Sequence, residues 1–204
     1  MSLIKSISGI RGTIGGKQGE GLSGIDVVRF TAAFAEFIKR YRPAAKKIVV
    51  WRDARISGKM VDSLVTGTLM SMGFDVINLG LASTPTTELA VIGSAADAGI
   101  IITASHNPRQ WNALKLLNAS GEFLSDKEGK QIIEIAEKED YTFAEVDFLG
   151  KEYTNTTWGL RHIEMVKNLP LVDCDAIEKA GFTIAVDAVN SVGGIVIPQL
   201  LKAL

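Results

Sequence analysis

The chain has 204 residues, of which 47% are hydrophobic, so it can bury a sizeable core and hold one full domain with additional structure. The net charge of −1 is uninformative, but a pI near 6.2 and the absence of basic runs interleaved with aromatic residues argue against nucleic acid as the main partner. The single cysteine, Cys174, excludes a disulfide framework and favours a cytoplasmic location, and no apolar run approaches the roughly 18 residues that a membrane span needs.

Hydrophobic periodicity divides the first half of the chain into alternating strands and helices. Ser23 and Asp26 have the spacing of a capping box, and apolar residues recur from there to Tyr41 with helical period. The predicted elements are a strand over 3–12 that enters a Gly-bounded turn, a helix after Ser23, a strand over 47–52, a helix capped by Ser57 and ended by Gly73, a strand over 74–79, a helix capped by Thr84 with Pro85 at its first position, and the apolar strand 99–102.

This βαβαβ order predicts an α/β fold with parallel strand pairs and helices on both faces of the sheet. A strand over 114–117 followed by a hairpin-like turn makes the predicted sheet mixed, although mainly parallel. Ser125 and Glu128 form a second capping-box pattern, which predicts a helix there.

Periodicity fades over residues 140–156, which we interpret as a connection between domains. Beyond it we expect helices over 157–168 and 174–181, a buried strand over 182–187, and an apolar helix-like run that contains Pro198. We therefore expect a first domain over 1–150 and, over 151–204, a connecting helix and the start of a second, similar α/β domain that is cut short, as in a fragment.

The sequence from Thr103 to Pro108 follows the apolar strand, at a position where open α/β sheets bind ligands. Ser105 offers a hydroxyl there and Lys115 an ammonium ten residues later. If Ser105 carried a phosphate, Lys115, Arg109 and Arg11 would supply the cations that it needs. Alternatively, Ser105 and Asn107 only cap the turn before Pro108. A direct dyad of Ser105 with His106 is disfavoured, because adjacent residues of an extended segment point to opposite sides.

Several other residues allow both a functional and a structural interpretation. Arg11 lies between Ile10 and Gly12, where it either faces an anion or is a solvated surface arginine. His162 is interpreted as a surface or interface histidine rather than a metal ligand. The segment 187–194 either binds an anion through its backbone amides or is a plain tight turn.

The Thr103–Pro108 motif, with Asn112 and Lys115 downstream and the sequence Ser8–Gly12 near the amino terminus, resembles the α-D-phosphohexomutase superfamily. The resemblance implies that Ser105 is the phosphoserine, Lys115 the general acid/base, His106 and Asn107 the surrounding loop, and Arg11 an arginine that faces the phosphate. It also implies that Asp53 and Arg55 match an Asp-x-Arg motif near this loop, where the alternative is an exposed ion pair. Many members have glycine where this chain has Ala113, so the turn before Lys115 is expected to differ in shape.

The resemblance implies an amino-terminal fragment of an isomerase that interconverts hexose 6-phosphates and 1-phosphates through a bisphosphate. Glucosamine phosphate is the first substrate expected, followed by glucose and mannose phosphates. Mg²⁺ is the implied cofactor, bound by the phosphate on Ser105 and by aspartates that this chain lacks, so the fragment alone is expected to be inactive. A sugar-phosphate phosphatase and a non-catalytic binding protein stay open as alternatives, and the oligomeric state is undetermined.

Overall fold

The computed structural model describes residues 2–6 and 9–204. The described elements are β1 (Ile4–Ser6), β2 (Gly9–Thr13), α1 (Gly24–Tyr41), β3 (Lys47–Arg52), α2 (Gly58–Ser71), β4 (Asp75–Leu81), α3 (Thr84–Gly93), β5 (Ala98–Ile102), β6 (Trp111–Leu117), α4 (Asp126–Lys138), a 3-10 turn (Val146–Phe148), β7 (Glu152–Thr154), α5 (Trp158–Lys167), α6 (Cys174–Ala180) and α7 (Gly193–Ala203). No helix among these residues is both long and apolar enough to span a membrane.

The strands form one mixed sheet in the order β1-β2-β6-β5-β3-β4-β7. Strands β5, β3, β4 and β7 are parallel neighbours, whereas the pairs β1·β2, β2·β6 and β6·β5 are antiparallel. Two successive antiparallel pairings return β2 to the direction of β5, so five of the seven strands run the same way. The predicted mixed, mainly parallel sheet is confirmed.

Helices cover both faces of the sheet, as the strand and helix order predicts. Along β3, Ile48 and Val50 pack on one side and Val49 and Trp51 on the other, because successive side chains of a strand alternate. The first face is covered by α1, α2 and α4, and the second by α3, α5 and α7. A strand buried on both faces needs a continuous apolar run, and residues 48–51 of β3 meet this requirement between the charged ends Lys47 and Arg52.

Both predicted capping boxes are present. The Ser23 side chain accepts a hydrogen bond from the N–H of Asp26, whose carboxylate accepts one from the N–H of Ser23. Ser125 and Glu128 make the same reciprocal pair at the start of α4. These bonds satisfy backbone donors that have no partner within the first turn of a helix.

The amino-terminal segment and the start of α3 differ from the prediction. In place of the single strand predicted over 3–12, the described residues form two strands, β1 and β2, which pair antiparallel to each other, and residues 7 and 8 of the predicted strand lie outside the described residues. The cap of α3 is Ser83, whose hydroxyl accepts from the N–H of Thr86, and Thr84 is already helical. Two adjacent hydroxyl residues offer equivalent caps in sequence, and the backbone geometry chooses between them.

The carboxyl-terminal part differs in two places. Strand β7, within the predicted connection 140–156, pairs with β4, so the first sheet extends past residue 150. Residues 182–187 do not form the predicted buried strand, and Phe182, Ile184 and Val186 are half exposed or more. A strand requires a neighbour for its backbone, and no described segment pairs with this one. The division into two domains stays a prediction.

Candidate active site

Ser105 lies on the loop between β5 and β6, at the end of a central strand of the sheet. Its side chain is exposed, and its backbone has a φ of 54°, in the left-handed region that non-glycine residues rarely adopt. Such strained residues persist only where surrounding contacts hold them, and they concentrate at functional sites. The contacts of the loop therefore decide how Ser105 is presented.

The turn around Ser105 is capped by its neighbours. The Thr103 hydroxyl accepts a hydrogen bond from the Ser105 N–H at 3.1 Å. Asn107 donates to the Ala104 carbonyl from its backbone N–H at 3.0 Å and from Nδ2 at 2.8 Å. The interpretation that these residues only cap the turn thus holds for Asn107. It does not hold for Ser105, whose hydroxyl makes no hydrogen bond to the backbone of the turn.

The prediction that the side chains of Ser105 and His106 point to opposite sides is wrong. Residues 105 and 106 lie in a turn rather than in an extended segment, and Ser105 Oγ lies 3.5 Å from His106 Nδ1. This distance is at the outer limit for a hydrogen bond. The imidazole is therefore beside the hydroxyl, although not in the geometry of an activated nucleophile pair.

Arg55 binds the loop that carries Ser105. Nε donates to Asp53 Oδ2 at 3.2 Å. The two terminal nitrogens donate to four backbone carbonyls: Nη1 to Pro108 at 2.9 Å and Trp111 at 3.1 Å, and Nη2 to Ser105 at 2.7 Å and Asn107 at 2.8 Å. The side chains of Arg55 and Asp53 are only 12% and 13% exposed. The alternative of an exposed ion pair is therefore wrong.

Asp53 extends the same network to the other side of Ser105. Its Oδ1 accepts from the Arg55 N–H at 3.0 Å, and its Oδ2 accepts from the Thr103 hydroxyl at 2.6 Å. Because that hydroxyl also accepts from the Ser105 N–H, Asp53 supports the serine through one intervening side chain.

Asn112 is fully buried under the loop and bonds to Ser57. Its Nδ2 donates to the Ser57 hydroxyl at 2.9 Å, and its Oδ1 accepts from the Ala113 N–H. Ser57 lies at the start of α2, as predicted, but its side chain makes no cap. A buried amide needs a hydrogen-bond partner, and the Ser57 hydroxyl bonds to Asn112 instead of capping the helix. Sequence reasoning found both residues but not this bond.

The expected turn before Lys115 does not exist. Strand β6 begins at Trp111 rather than at residue 114, and Ala113 pairs with Arg11 of β2. Ala113 has no positive φ, so alanine fits this position without strain. The departure from glycine at this position does not alter a turn.

Arg11 and Lys115 lie on one face of the sheet. Arg11 is opposite Ala113, and Lys115, two residues further along β6, is opposite Ile101 of β5. The Nε of Arg11 is buried without a hydrogen-bond partner among the described residues, and Lys115 Nζ lies 5.7 Å from the centre of the Phe123 ring. Ser8, of the amino-terminal motif, lies outside the described residues.

An open cavity of about 590 Å³ lies against Ser105, a size typical of small-molecule sites. It is bordered by the Ser105 loop, including His106, Asn107 and Arg109, by residues 53–56, and by residues 189–191. Arg11 and Lys115 are not among its lining residues. Sequence reasoning named the segment 187–194 but gave no sign that it faces Ser105, because the contact depends on how α7 packs.

His162 lies at the contact between α5 and α3, as an interface histidine. Its Nδ1 is 2.9 Å from the Thr86 hydroxyl, and burial lowers the pKa of its imidazole. Over residues 2–6 and 9–204, no three His, Cys, Asp or Glu side chains group closely enough to hold a metal ion. The acidic side chain at the cavity, Asp53, is bonded to Arg55 and Thr103. These residues thus do not form the Mg²⁺ site that the resemblance implies.

Comparison with known proteins bears on most of the chain. Residues 3–143 match the family described as phosphoglucomutase/phosphomannomutase, alpha/beta/alpha domain I. A phosphoglucomutase/phosphomannomutase from Thermococcus kodakarensis is 38% identical over 84% of this chain and 37% of its own length. A phosphoglucosamine mutase from a Sulfurovum species is 33% identical over 93% of this chain and 42% of its own length.

The fold is similar to that of solved structures. A phosphoglucomutase/phosphomannomutase family protein from Burkholderia thailandensis superposes with a TM-score of 0.75 at 22% identity, over 99% of this chain and 43% of that one. The chain thus spans roughly two fifths of the length of the relatives that it matches. On the match over residues 3–143, the chain belongs to the phosphoglucomutase/phosphomannomutase family, within the α-D-phosphohexomutase superfamily.

Proposed function

We propose that the full-length protein is a phosphohexomutase, an isomerase that interconverts hexose 6-phosphates and 1-phosphates. The observation that carries this proposal is the presentation of Ser105: an exposed hydroxyl, held in a strained conformation at a strand end, beside a cavity that suits a sugar phosphate. The family to which residues 3–143 belong supports the same reaction.

In the proposed reaction, Ser105 carries a phosphoryl group. The bond between phosphorus and Ser105 Oγ breaks as the free hydroxyl of a hexose monophosphate forms a new bond to phosphorus, and the hydroxyl proton passes to a base. The hexose bisphosphate then reorients in the site and transfers its other phosphoryl group to Ser105. The phosphoserine is thereby regenerated, and the phosphate on the hexose has changed position.

We assign the proton transfer to Lys115 and the stabilisation of phosphoryl charge to Arg11, His106 and Arg109, with Asn107 shaping the loop. Arg109 and His106 border the cavity, which supports their part. Arg11 and Lys115 share the sheet face next to β5, and their roles require their long side chains to reach the phosphate on Ser105.

Mg²⁺ is the proposed cofactor of the full-length protein. A phosphate on Ser105 offers the oxygen ligands that Mg²⁺ prefers, and carboxylates from outside this chain would have to complete the site. The described residues alone are therefore expected to hold the ion weakly and to lack turnover. A cytoplasmic location agrees with a sugar-phosphate substrate and with the single cysteine.

Glucosamine phosphate is the first substrate that we propose. Relatives of similar identity are named phosphoglucosamine mutase and phosphoglucomutase/phosphomannomutase, so both groups of sugars must be assayed. Comparison of kcat/KM for the 6-phosphates of glucosamine, glucose and mannose ranks them directly.

Ser105→Ala tests the phosphoserine in the full-length protein. We expect intact-mass analysis to find one phosphate on the wild type and none on the variant, with mutase turnover reduced by about 10⁴-fold or more because no covalent carrier remains. Ser120→Ala, on the turn after β6, is the matched control and keeps both. An alanine variant with full turnover would disprove the proposal, and release of inorganic phosphate in place of isomer would identify a phosphatase.

A further inference from the structure

We propose that Arg55 is a positioning residue, which holds the loop 105–111 in the conformation that presents Ser105, and that it does not bind phosphate itself. The proposal concerns the same site and rests on the proposed function for the importance of Ser105. This role distinguishes Arg55 from Arg11 and Arg109, which we assign to the phosphate. The sequence alone does not reveal this difference.

The first argument is the number of hydrogen-bond donors. A guanidinium has five N–H groups and no acceptor. Arg55 makes one bond from Nε to Asp53, two from Nη1 and two from Nη2, so each N–H has an acceptor at 3.2 Å or less. Although Arg55 borders the cavity, no donor is left for a phosphate oxygen. Arg109 borders the same cavity, but its side chain is exposed and has no hydrogen bond to any described residue, so its donors are available.

The second argument is the placement of the acceptors. The carbonyls of Ser105, Asn107, Pro108 and Trp111 span the whole loop and converge on one planar group. Carbonyls of one chain repel one another when they point to a common centre, so a cation must hold them together. Such a loop would open if the guanidinium were removed.

The third argument is that one ion pair holds both sides of Ser105. Arg55 donates a hydrogen bond to the Ser105 carbonyl at 2.7 Å. Asp53, bonded to Arg55, holds the Thr103 hydroxyl, which in turn accepts from the Ser105 N–H. The positive φ of Ser105 is therefore maintained from two directions by a pair that is largely buried.

Amide hydrogen exchange on the 204-residue chain tests the structural part. In Arg55→Gln and Arg55→Lys we expect the amides of Ser105, Asn107 and Trp111 to exchange at least about tenfold faster, with the smaller effect for lysine, because lysine has three donors and no planar fork. Amides of β3 and β5 report whether the variants fold. Arg42→Gln, which removes an exposed arginine paired with Asp97, is the control and should leave the loop unchanged. Unchanged loop exchange in both folded Arg55 variants would overturn the proposal.

Steady-state kinetics of the full-length protein tests positioning against phosphate binding. Arg55→Lys should lower kcat at least about tenfold and change KM for the sugar phosphate less than about threefold, whereas Arg109→Gln should raise KM. A raised KM for Arg55→Lys, with kcat and loop exchange unchanged, would make Arg55 a phosphate ligand and overturn the proposal. Absence of turnover in the wild type would contradict the proposed function, while the exchange result would still decide what Arg55 does to the loop.

Discussion

At the scale of single residues, the site is organised by the pair Asp53 and Arg55. The two side chains are nearly buried, and each bonds to the loop around Ser105 as well as to the other. Removing one partner of a buried ion pair leaves the other charge without compensation, which costs far more than an exposed pair is worth. Stability therefore reports on this pair independently of catalysis.

Asp53→Asn is expected to lower the free energy of unfolding by about 3 kcal/mol, because Arg55 stays buried without a carboxylate. Urea denaturation of the 204-residue chain measures the change. Asp126→Asn, which breaks an exposed pair with Lys130 on α4, is the matched control and should cost less than about 0.5 kcal/mol. Equal effects of the two substitutions would show that burial of the first pair has no energetic consequence.

At the scale of elements, the packing of α3 against α5 depends on a glycine. Trp158, at the start of α5, is buried with its indole ring against Gly93, the last residue of α3. A β-carbon at position 93 would lie 2.2 Å from Cη2 of that ring, closer than any van der Waals contact. The two helices approach this closely only because position 93 has no side chain.

Gly93→Ala should destabilise the chain by about 1–3 kcal/mol, because the ring of Trp158 must move out of a packed core. Gly67→Ala, inside α2, is the matched control: nothing lies within 4 Å of its β-carbon, and alanine should stabilise the helix by roughly 0.5–1 kcal/mol. Thermal unfolding followed by circular dichroism compares the two. A stabilised Gly93→Ala variant would contradict the close packing of α3 and α5.

At the scale of the whole molecule, residues 182–187 have the apolar composition of a core strand but are exposed. Phe182 and Ile184 are 71% and 54% exposed, and the backbone has no pairing strand among the described residues. An apolar strand-like segment is buried only when another part of the chain covers it. This segment should therefore be the part of the 204-residue chain that a protease cleaves most easily.

Brief digestion with thermolysin should cut first before Ile184 or Val186, because a protease needs an accessible, unpaired backbone. Mass spectrometry of the early fragments identifies the site. The equally apolar strand β5 serves as the internal control and should stay intact until the chain unfolds. First cleavage within β5, or survival of 182–187, would contradict the exposure of this segment.

The sequence by itself determined the elements that depend on neighbours along the chain. Capping boxes at Ser23 and Ser125, the helical stripe of α1 and the apolar strands β3 and β5 are local patterns, and they predicted the α/β class and helices on both faces. The family was visible for the same reason, since each of its two motifs, around Ser105 and over residues 8–12, is a short continuous segment.

Only the tertiary structure decided which distant groups meet. Three contacts join segments far apart in the chain: the four bonds of Arg55 to the Ser105 loop, the bond of Asn112 to Ser57, which makes no helix cap, and the position of residues 189–191 beside Ser105. The pairing of β7 and the missing pairing of 182–187 likewise depend on which strand edge is within reach. Hydrogen bonds and packing between remote residues follow from the fold as a whole, and no local pattern carries that information.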